Sequence, residues 1–343
     1  MTFGVILDEV FLEHRNPPGH PEHPQRIMVL IEALAKYPGP ISRFAPRPIE
    51  GKWLLTVHSP EHVNRIRATQ GLSQRDLDPD THTGPRSYEV ACLAAGSPVH
   101  LLQLMREGRI DAGFSLARPP GHHATRTRAM GFRLFNNAAI AAEWAIQEQL
   151  ARHVAILDFD VHHGNGTQEI FWTRSDVLYL STHQFPHYPG TGAFNEIGEG
   201  AGKGFTVNFP VPAGRDDAFF VHLYNDLAVP VLEQFKPDLI LVSAGYDTHA
   251  KDPLAGMKMT ADGFGAIASA LTAAARRLCQ GRLIFLLEGG YDPKGLTEGV
   301  VATIDGALGR RDFTKLVSRR SREFEAYRTI AVTHLRDHWK FAS

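Results

Sequence analysis

Cysteine is nearly absent: Cys92 and Cys279 are the only two in 343 residues, each set in an apolar helical pattern. That scarcity excludes a disulfide framework or a cysteine-rich zinc module and suits a reducing compartment. Net charge is nearly absent too, at −1, so the body offers no field to gather nucleic acid or an anionic membrane surface. No apolar run approaches the ~18 residues of a membrane span. The opening MTFGVILDEVFLEH lacks the basic stretch of an export signal and carries acids among its apolar residues. Repeats and low-complexity linkers are missing as well. What remains is the expectation of a cytoplasmic protein with one large core, for which 43% hydrophobic content is ordinary.

What the chain does hold is an alternation. Apolar, β-prone runs span Phe3 to Leu7, Ala112 to Leu116, His153 to Phe159, Val177 to Ser181, Leu239 to Ser243 and Leu283 to Leu287. Between them, Pro24 to Tyr37, Ser87 to Arg106, Asn136 to Leu150, Asp217 to Phe235 and Thr260 to Cys279 carry apolar residues at three- and four-residue steps. Strands alternating with helices predict an α/β fold, a mainly parallel sheet sandwiched by helices. Punctuation agrees: Pro24 opens a helix, Thr260 stands at an N-cap, and Gly281 follows a helix end. Gly96-Ser-Pro98 is expected to kink or split its helix, and Gly198 to Gly204 to form a hairpin or surface loop.

Polar clusters follow the apolar runs directly, at residues 118–124, 158–165, 182–192, 244–247 and 288–291. In open α/β sheets the ligand crevice lies outside the carboxyl ends of the strands, so these five loops should line one pocket. The densest stretch is Ile156-Leu-Asp-Phe-Asp-Val-His-His-Gly-Asn-Gly-Thr167. On an extended backbone Asp158, Asp160 and His162 share a face, and burying them is costly unless a cation compensates. Asp247, closing the run that begins at Leu239, is the natural third partner of Asp160 and His162. Two carboxylates and one imidazole leave a position open for water and substrate, the composition of a catalytic zinc site, although Fe(II) accepts the same ligands. A lone Asp-x-His is more often a polar strand end; the neighbouring loops tip the balance.

His122 and His123, behind a rigid Pro-Pro-Gly turn, suit acid–base work, since an imidazole with an ordinary pKa of about 6.5 can take a proton from water and return it to a leaving amine. Asp158 and Asn165 are candidates to fix their tautomers. Tyr291, after two glycines, offers a phenol hydroxyl to a developing oxyanion. Gly131-Phe132 and Tyr188-Pro-Gly190 add aromatic surface consistent with a narrow apolar tunnel.

Together, Arg118-Pro-Pro-Gly-His-His-Ala124, Gly131-Phe-Arg-Leu-Phe-Asn-Asn137, the stretch Asp158 to Gln168, Ser243-Ala-Gly-Tyr-Asp247 and Leu287-Glu-Gly-Gly-Tyr291 resemble the zinc-dependent histone deacetylase family. The likeness is to its class II-like branch, with bacterial amidohydrolases and acetylpolyamine amidohydrolases, and runs from about residue 3 to 308. It implies the arginase/deacetylase fold, an active site at the C-terminal ends of the strands, and hydrolysis of an N-acetylated amine to acetate and free amine.

Carried over by position, the resemblance makes Asp160, His162 and Asp247 the zinc ligands. His123 becomes general base and then acid, with His122 its electrostatic partner supported by Asp158. Tyr291 polarises the acetyl carbonyl, Phe132 and Tyr188 wall the tunnel beside Gly131, Arg26 stands near an acetate-release channel, and Asp80 is the rim carboxylate that grips substrate amides. Two potassium ions are implied, one near Asp158, Asp160, His162, Ser181 and Thr182, the other near Phe171, Arg174 and Val177.

Three departures qualify the match. Asn165 is an amide where many relatives have Asp, Tyr188 replaces a common Phe, and Leu254 stands where polyamine-preferring relatives carry an acid, which weakens a polyamine substrate without excluding it. An arginase-type manganese hydrolase would need carboxylates at Gly164 and His249, so one metal is the stronger reading. A catalytically silent acetyl-lysine binder is disfavoured because ligands, histidines and Tyr291 are all present.

Residues 1–309 are expected to form the catalytic domain. Residues 310–343 hold nine Lys/Arg against four Asp/Glu; an amphipathic helix packed on the same domain explains them better than a site for an acidic partner. His334 and His338 stand one helical turn apart, where a metal or a plain helix face accounts for them equally. Partners are then an acetylated lysine peptide or protein, or an acetylated small amine, with no direct nucleic acid or membrane contact. Oligomeric state is left open, a homo-oligomer included.

Overall fold

The computed structural model describes residues 2–316 and 319–342. The first half of the chain builds β1 (Phe3–Ile6), α1 (Gln25–Ala35), β2 (Ile41–Phe44), α2 (Gly51–Val57), α3 (Pro60–Arg67), a hairpin of β3 (Arg75–Asp78) and β4 (Thr81–Thr83), α4 (Ser87–Arg106), β5 (Ala112–Ser115) and α5 (Asn137–Gln147). The second half adds β6 (Val154–Asp158), α6 (Asn165–Phe171), β7 (Val177–Gln184), β8 (Thr206–Val211), α7 (Asp217–Leu223), α8 (Val229–Phe235), β9 (Leu239–Ala244), α9 (Ala261–Cys279), β10 (Leu283–Leu287), α10 (Pro293–Leu308) and α11 (Arg322–Leu335).

Eight strands form one all-parallel sheet in the order β2-β1-β5-β10-β9-β6-β7-β8. Its inner strands β1, β5, β6, β9 and β10 are buried along their whole length, as a parallel sheet covered by helices on both faces requires. The last two strands made, β9 and β10, fill the gap between β5 and β6. Asp158 thereby pairs in register with Ser243 on one side and Ser181 on the other, while Leu287 pairs with Ala244. Loops far apart in sequence emerge side by side at one edge.

All six expected strands are present; two more, β2 and β8, carry no comparable sequence signal. Both are edge strands. β2 is largely half-exposed, and β8 contains Pro210, which an edge tolerates because one row of backbone groups needs no partner. Helix α10 was hidden by its glycines, which the packing explains: a Cβ at Gly306 would lie 2.2 Å from the Gly265 carbonyl oxygen of α9, so the two helices touch backbone to backbone there.

Other expectations need correction. α4 runs unbroken through Pro98 instead of splitting. The segment Asp217 to Phe235 is two helices joined by a π turn at Tyr224–Ala228. Thr260 does stand at the N-cap of α9, yet its hydroxyl donates to Asp217 Oδ2 at 2.7 Å instead of capping its own helix. Residues 198–204 form a surface loop with a short 3-10 turn at Gly200–Gly202.

At the C-terminus α11 buries Phe324, Tyr327, Ala331 and Leu335, with Phe324 and Tyr327 against Phe219 of α7, and Trp339 donates from its indole nitrogen to the Gly204 carbonyl at 3.0 Å. His334 lies flat on Phe194 while His338 abuts Gly204, so that pair is divided between two packing surfaces. Both cysteines are free and buried. No helix among the described residues is long and apolar enough to cross a membrane.

Candidate active site

Strand β6 stops at Asp158, so Asp160 and His162 sit in the loop beyond it and not on an alternating strand face. They converge by local hydrogen bonding instead. Asp160 Oδ1 accepts from the His162 backbone N–H at 2.9 Å, which folds the loop back on itself. Asp247, three residues past β9, is held by the Val161 N–H to its Oδ1 at 2.9 Å, and Asp160 Oδ2 accepts from Gly289 N–H, past β10, at 2.7 Å. Gly289 is there because a Cβ would lie 2.0 Å from Asp247 Oδ2.

The ligand atoms of Asp160, His162 and Asp247 all lie within 4.8 Å of one another, and all three side chains are buried. His162 Nδ1 is 3.1 Å from Asp160 and 3.2 Å from Asp247. Burial works against charge on this imidazole, but the two carboxylates outweigh it and raise its pKa to about 9. Asp247 is pushed up by burial and by the neighbouring Asp160 charge. Its Oδ2 has no hydrogen-bond partner, nor has His122 Nε2, 3.8 Å from Asp160 Oδ1. Two crowded carboxylates, an imidazole and unmet buried acceptors fit a divalent cation, which supplies the missing positive charge. Among the described residues this is the one such group of three, and neither Gly164 nor His249 adds a carboxylate for a second ion.

The loop after β5 brings both predicted histidines beside this group. His122 donates from Nδ1 to Asp158 Oδ2 at 2.9 Å, and the Tyr179 hydroxyl donates to the same oxygen at 3.1 Å. His123 Nδ1 donates to Asn165 Oδ1 at 2.8 Å, leaving Nε2 as an acceptor; Asn165 Nδ2 faces the Met130 sulfur, which fixes the amide's orientation. Burial lowers both imidazole pKa values, His123 well below the ordinary range with His122 and Arg133 adding to the effect. Asp158 moves the other way, raised by burial and by Asp160. His123 is thus a neutral, oriented base over a wide pH range.

Tyr291 follows β10. Its backbone N–H donates to Asp252 Oδ2 at 2.6 Å, and its ring lies edge-on to Phe132 at 5.9 Å and under the Arg26 guanidinium at 5.1 Å. Burial raises the phenol pKa, so the hydroxyl keeps its proton to donate. Phe132 lies beside Tyr291, and the 39% exposed Tyr188 lies edge-on to His123 at 5.1 Å and to His162 at 6.1 Å. Gly131 backs the His123 ring, with 2.3 Å between a would-be Cβ and its Cδ2.

Asp80 is half-buried and spends Oδ1 on the Gly131 N–H and the Thr81 hydroxyl, so it braces the Phe132 loop. Leu254 is half-buried, its carbonyl accepting from His187, whose ring stacks on His162 at 5.0 Å. Arg26 is buried behind Tyr291 with each nitrogen on an acceptor: Gly290 O, Glu288 O and Glu22.

Of the residues expected near potassium, Thr182 reaches the Asp158 carbonyl at 3.4 Å and Ser181 bonds His183. Phe171, Arg174 and Val177 form the turn from α6 to β7, with Arg174 paired to Asp176 and Glu143 at 2.7 Å.

Sequence reasoning missed several residues that frame the site. Glu288 accepts from the Gly121 and His122 N–H groups at 2.9 and 3.2 Å, Asp252 holds Tyr291, and Arg133 lies beneath Asp160. Glu288 carried an available signal as a charge placed directly after the apolar run Leu283 to Leu287, whereas nothing local marked Asp252 or Arg133.

The profile of the histone deacetylase domain matches residues 20–307. A protein named probable deacetylase from Archaeoglobus fulgidus is 36% identical over 314 residues, 89% of this chain and 87% of its own length. A histone deacetylase-like amidohydrolase from Pseudomonas aeruginosa is 41% identical over 300 residues, 85% of this chain and 78% of its own. The crystal structure of the HDA15 HD domain superposes with a TM-score of 0.91 at 35% identity, covering 98% of this chain and 95% of that one.

Proposed function

The chain belongs to the histone deacetylase domain family, with its arginase/deacetylase fold, and we propose that it hydrolyses an N-acetylated amine of the acetyl-lysine type with one zinc ion held by Asp160, His162 and Asp247. The observation that carries this reading is the buried convergence of those three side chains with unmet polar atoms, directly beside a neutral histidine and a protonated phenol. When bound, the cation supplies Lewis-acid polarisation of water and of the acyl oxygen.

The protein's own groups do the rest. His123 Nε2 takes the proton of the attacking water while Asn165 holds Nδ1, then returns it to the amine nitrogen as the C–N bond breaks. His122, tied to Asp158, places a polarisable pair behind it. The Tyr291 hydroxyl donates to the acyl oxygen as negative charge develops. Phe132, Tyr188 and Gly131 enclose the methylene stem, with Leu254 and Asp80 at the rim and Arg26 behind Tyr291.

The same reading takes residues 1–309 as the catalytic domain and 310–343 as a helical extension on it, supported by the buried face of α11; residues 1, 317, 318 and 343 lie outside the described residues. It takes the protein as cytoplasmic, and potassium as bound near Asp158, Asp160, His162, Ser181 and Thr182 and near Phe171, Arg174 and Val177.

The test is metal stripping followed by stepwise zinc addition, with acetate release from acetyl-lysine peptides and acetylpolyamines as readout. Turnover of the peptide should appear at one ion per chain. Faster cleavage of the polyamine would move the substrate to small amines; protein holding one zinc without turnover on any amide would end the hydrolase reading.

A further inference from the structure

Arg133 is 1% exposed, yet two of its three nitrogens, Nε and Nη2, have no hydrogen-bond partner. They stand 3.7 Å from Glu288 Oε2 and 3.7 Å from Asp160 Oδ2. Nη1 donates to the Gly131 carbonyl and lies 3.5 Å from the Tyr291 hydroxyl. The neighbouring Arg26 differs: its nitrogens are used up on Gly290 O, Glu288 O and Glu22. One buried guanidinium is therefore spent on the frame, and the other presents free donors to the interior of the site.

Resting on the amide hydrolase reading above, the acyl carbonyl sits between Tyr291 and the Asp160 group. Arg133 is within 3.7 Å of both, so the acyl chain must run against it. We propose that Arg133 sets the acyl selectivity of the enzyme: its guanidinium closes the inner end of the acyl pocket and favours short acyl groups, above all those with an oxygen on the carbon chain, over longer hydrocarbon ones. An acetyl group leaves room for water on the guanidinium. Each further methylene displaces that water and leaves buried donors unmet, whereas a hydroxyl or carboxylate on the chain replaces it. Because a guanidinium stays charged at any working pH, the selectivity is independent of pH.

The experiment compares native protein with Arg133→Met, of similar length without donors, and Arg133→Gln, on one peptide whose lysine carries acetyl, 2-hydroxypropionyl, butyryl or hexanoyl. The native enzyme should prefer acetyl over butyryl by at least about tenfold in kcat/KM, and that ratio should collapse by at least about tenfold in Arg133→Met. Zinc content should not change. A second readout needs no turnover: 2-hydroxypropionate should raise the melting temperature of metal-free native protein more than hexanoate does, and Arg133→Met should reverse the order. Should Arg133→Met not fold, Arg133→Gln carries the comparison. An unchanged acyl ranking with acetyl still cleaved overturns this inference and leaves the hydrolase reading intact. If no acyl amide is cleaved by the native protein, the hydrolase reading fails, and the order of acid binding decides the role of Arg133 alone.

Discussion

Two buried charged clusters lie a few residues apart at the same edge of the sheet, and they are built on opposite rules. In the first, Glu22 meets Arg118 and Arg26: Glu22 Oε2 takes Arg118 Nη2 at 2.7 Å and Oε1 takes Arg118 Nε and, at 3.1 Å, Arg26 Nη1. Arg118 further donates to the Phe11 and His14 carbonyls, so Glu22 and both arginines close on protein atoms alone. The second cluster, Asp160, His162 and Asp247 with His122 and Arg133 around it, leaves four polar atoms without partners. Burial of charge does not itself mark a site; what sets the second cluster apart is four unmet polar atoms gathered in one place, against the single His14 Nε2 that stands 3.6 Å from Glu22 in the first. The closed cluster ties the loop after β5 to α1 and to the strand-end carbonyls of Glu288 and Gly290, and so holds steady the frame in which the open one waits for a ligand.

The largest effect that would separate the two clusters is on turnover. Asp247→Asn should lower kcat/KM by about a thousandfold or more, because Lewis-acid stabilisation is worth several kcal/mol. The same variant should melt no lower than native protein when both are metal-free, since one of two facing carboxylates has lost its charge. A clear fall in melting temperature would mean the two clusters obey one rule.

Glu22→Gln is the mirror experiment. It leaves two buried guanidinium groups without their counter-charge and should cost about 3–5 kcal/mol of stability by denaturant unfolding. A loss under about 1 kcal/mol would place this pair with exposed ion pairs and sink the contrast.

Next in size, Tyr291→Phe should lower kcat by about a hundredfold, the worth of one oxyanion donor, with zinc affinity unchanged. Near-normal turnover would remove the phenol from the mechanism.

The smallest effect is on acid stability. Burial lowers the pKa of His14 and His58 to about 3 and that of His163 to about 4, so at mildly acidic pH the unfolded chain takes up protons that the folded one refuses. These three groups then lower stability as pH drops from about 6.5, by at most about 1.4 kcal/mol per unit each, while Asp252, raised by burial to about 7, and Asp158 and Asp247, also raised, pull the other way. Glu22, held well down against burial by Arg118 and Arg26, keeps its charge and contributes nothing to this slope until pH falls below about 4.5, the ordinary Glu range. Melting curves of metal-free native protein and of His58→Gln between pH 6.5 and 4.5 isolate one such group: the native protein should lose stability more steeply, and identical slopes would show that His58 is not buried neutral.

The sheet's inner strands were legible in the sequence because a strand buried on both faces must be apolar throughout. Edge strands escape that demand, which is why β2 and the proline-bearing β8 were silent. The polar clusters after the strands were legible for the same reason, as abrupt breaks in apolar runs, and the structure brings Asp160, His162, Asp247, His122, His123 and Tyr291 to one place. The geometry expected of Asp160 and His162 was different, since β6 ends before them and a backbone turn replaces strand alternation. Glu22 and Arg133 were out of reach because their meaning lies in partners up to 158 residues away, and only the closed fold says whether a charge is answered.

Strands β9 and β10 are synthesised late yet occupy the middle of the sheet. Until residues 239–287 emerge, a nascent chain holds β5 and β6 with the slot between them unfilled, two apolar edges able to pair with other polypeptides. Truncation before Leu283 therefore removes not a tail but the keystone, and the third carboxylate arrives only after most of the polypeptide has already had to remain out of aggregates.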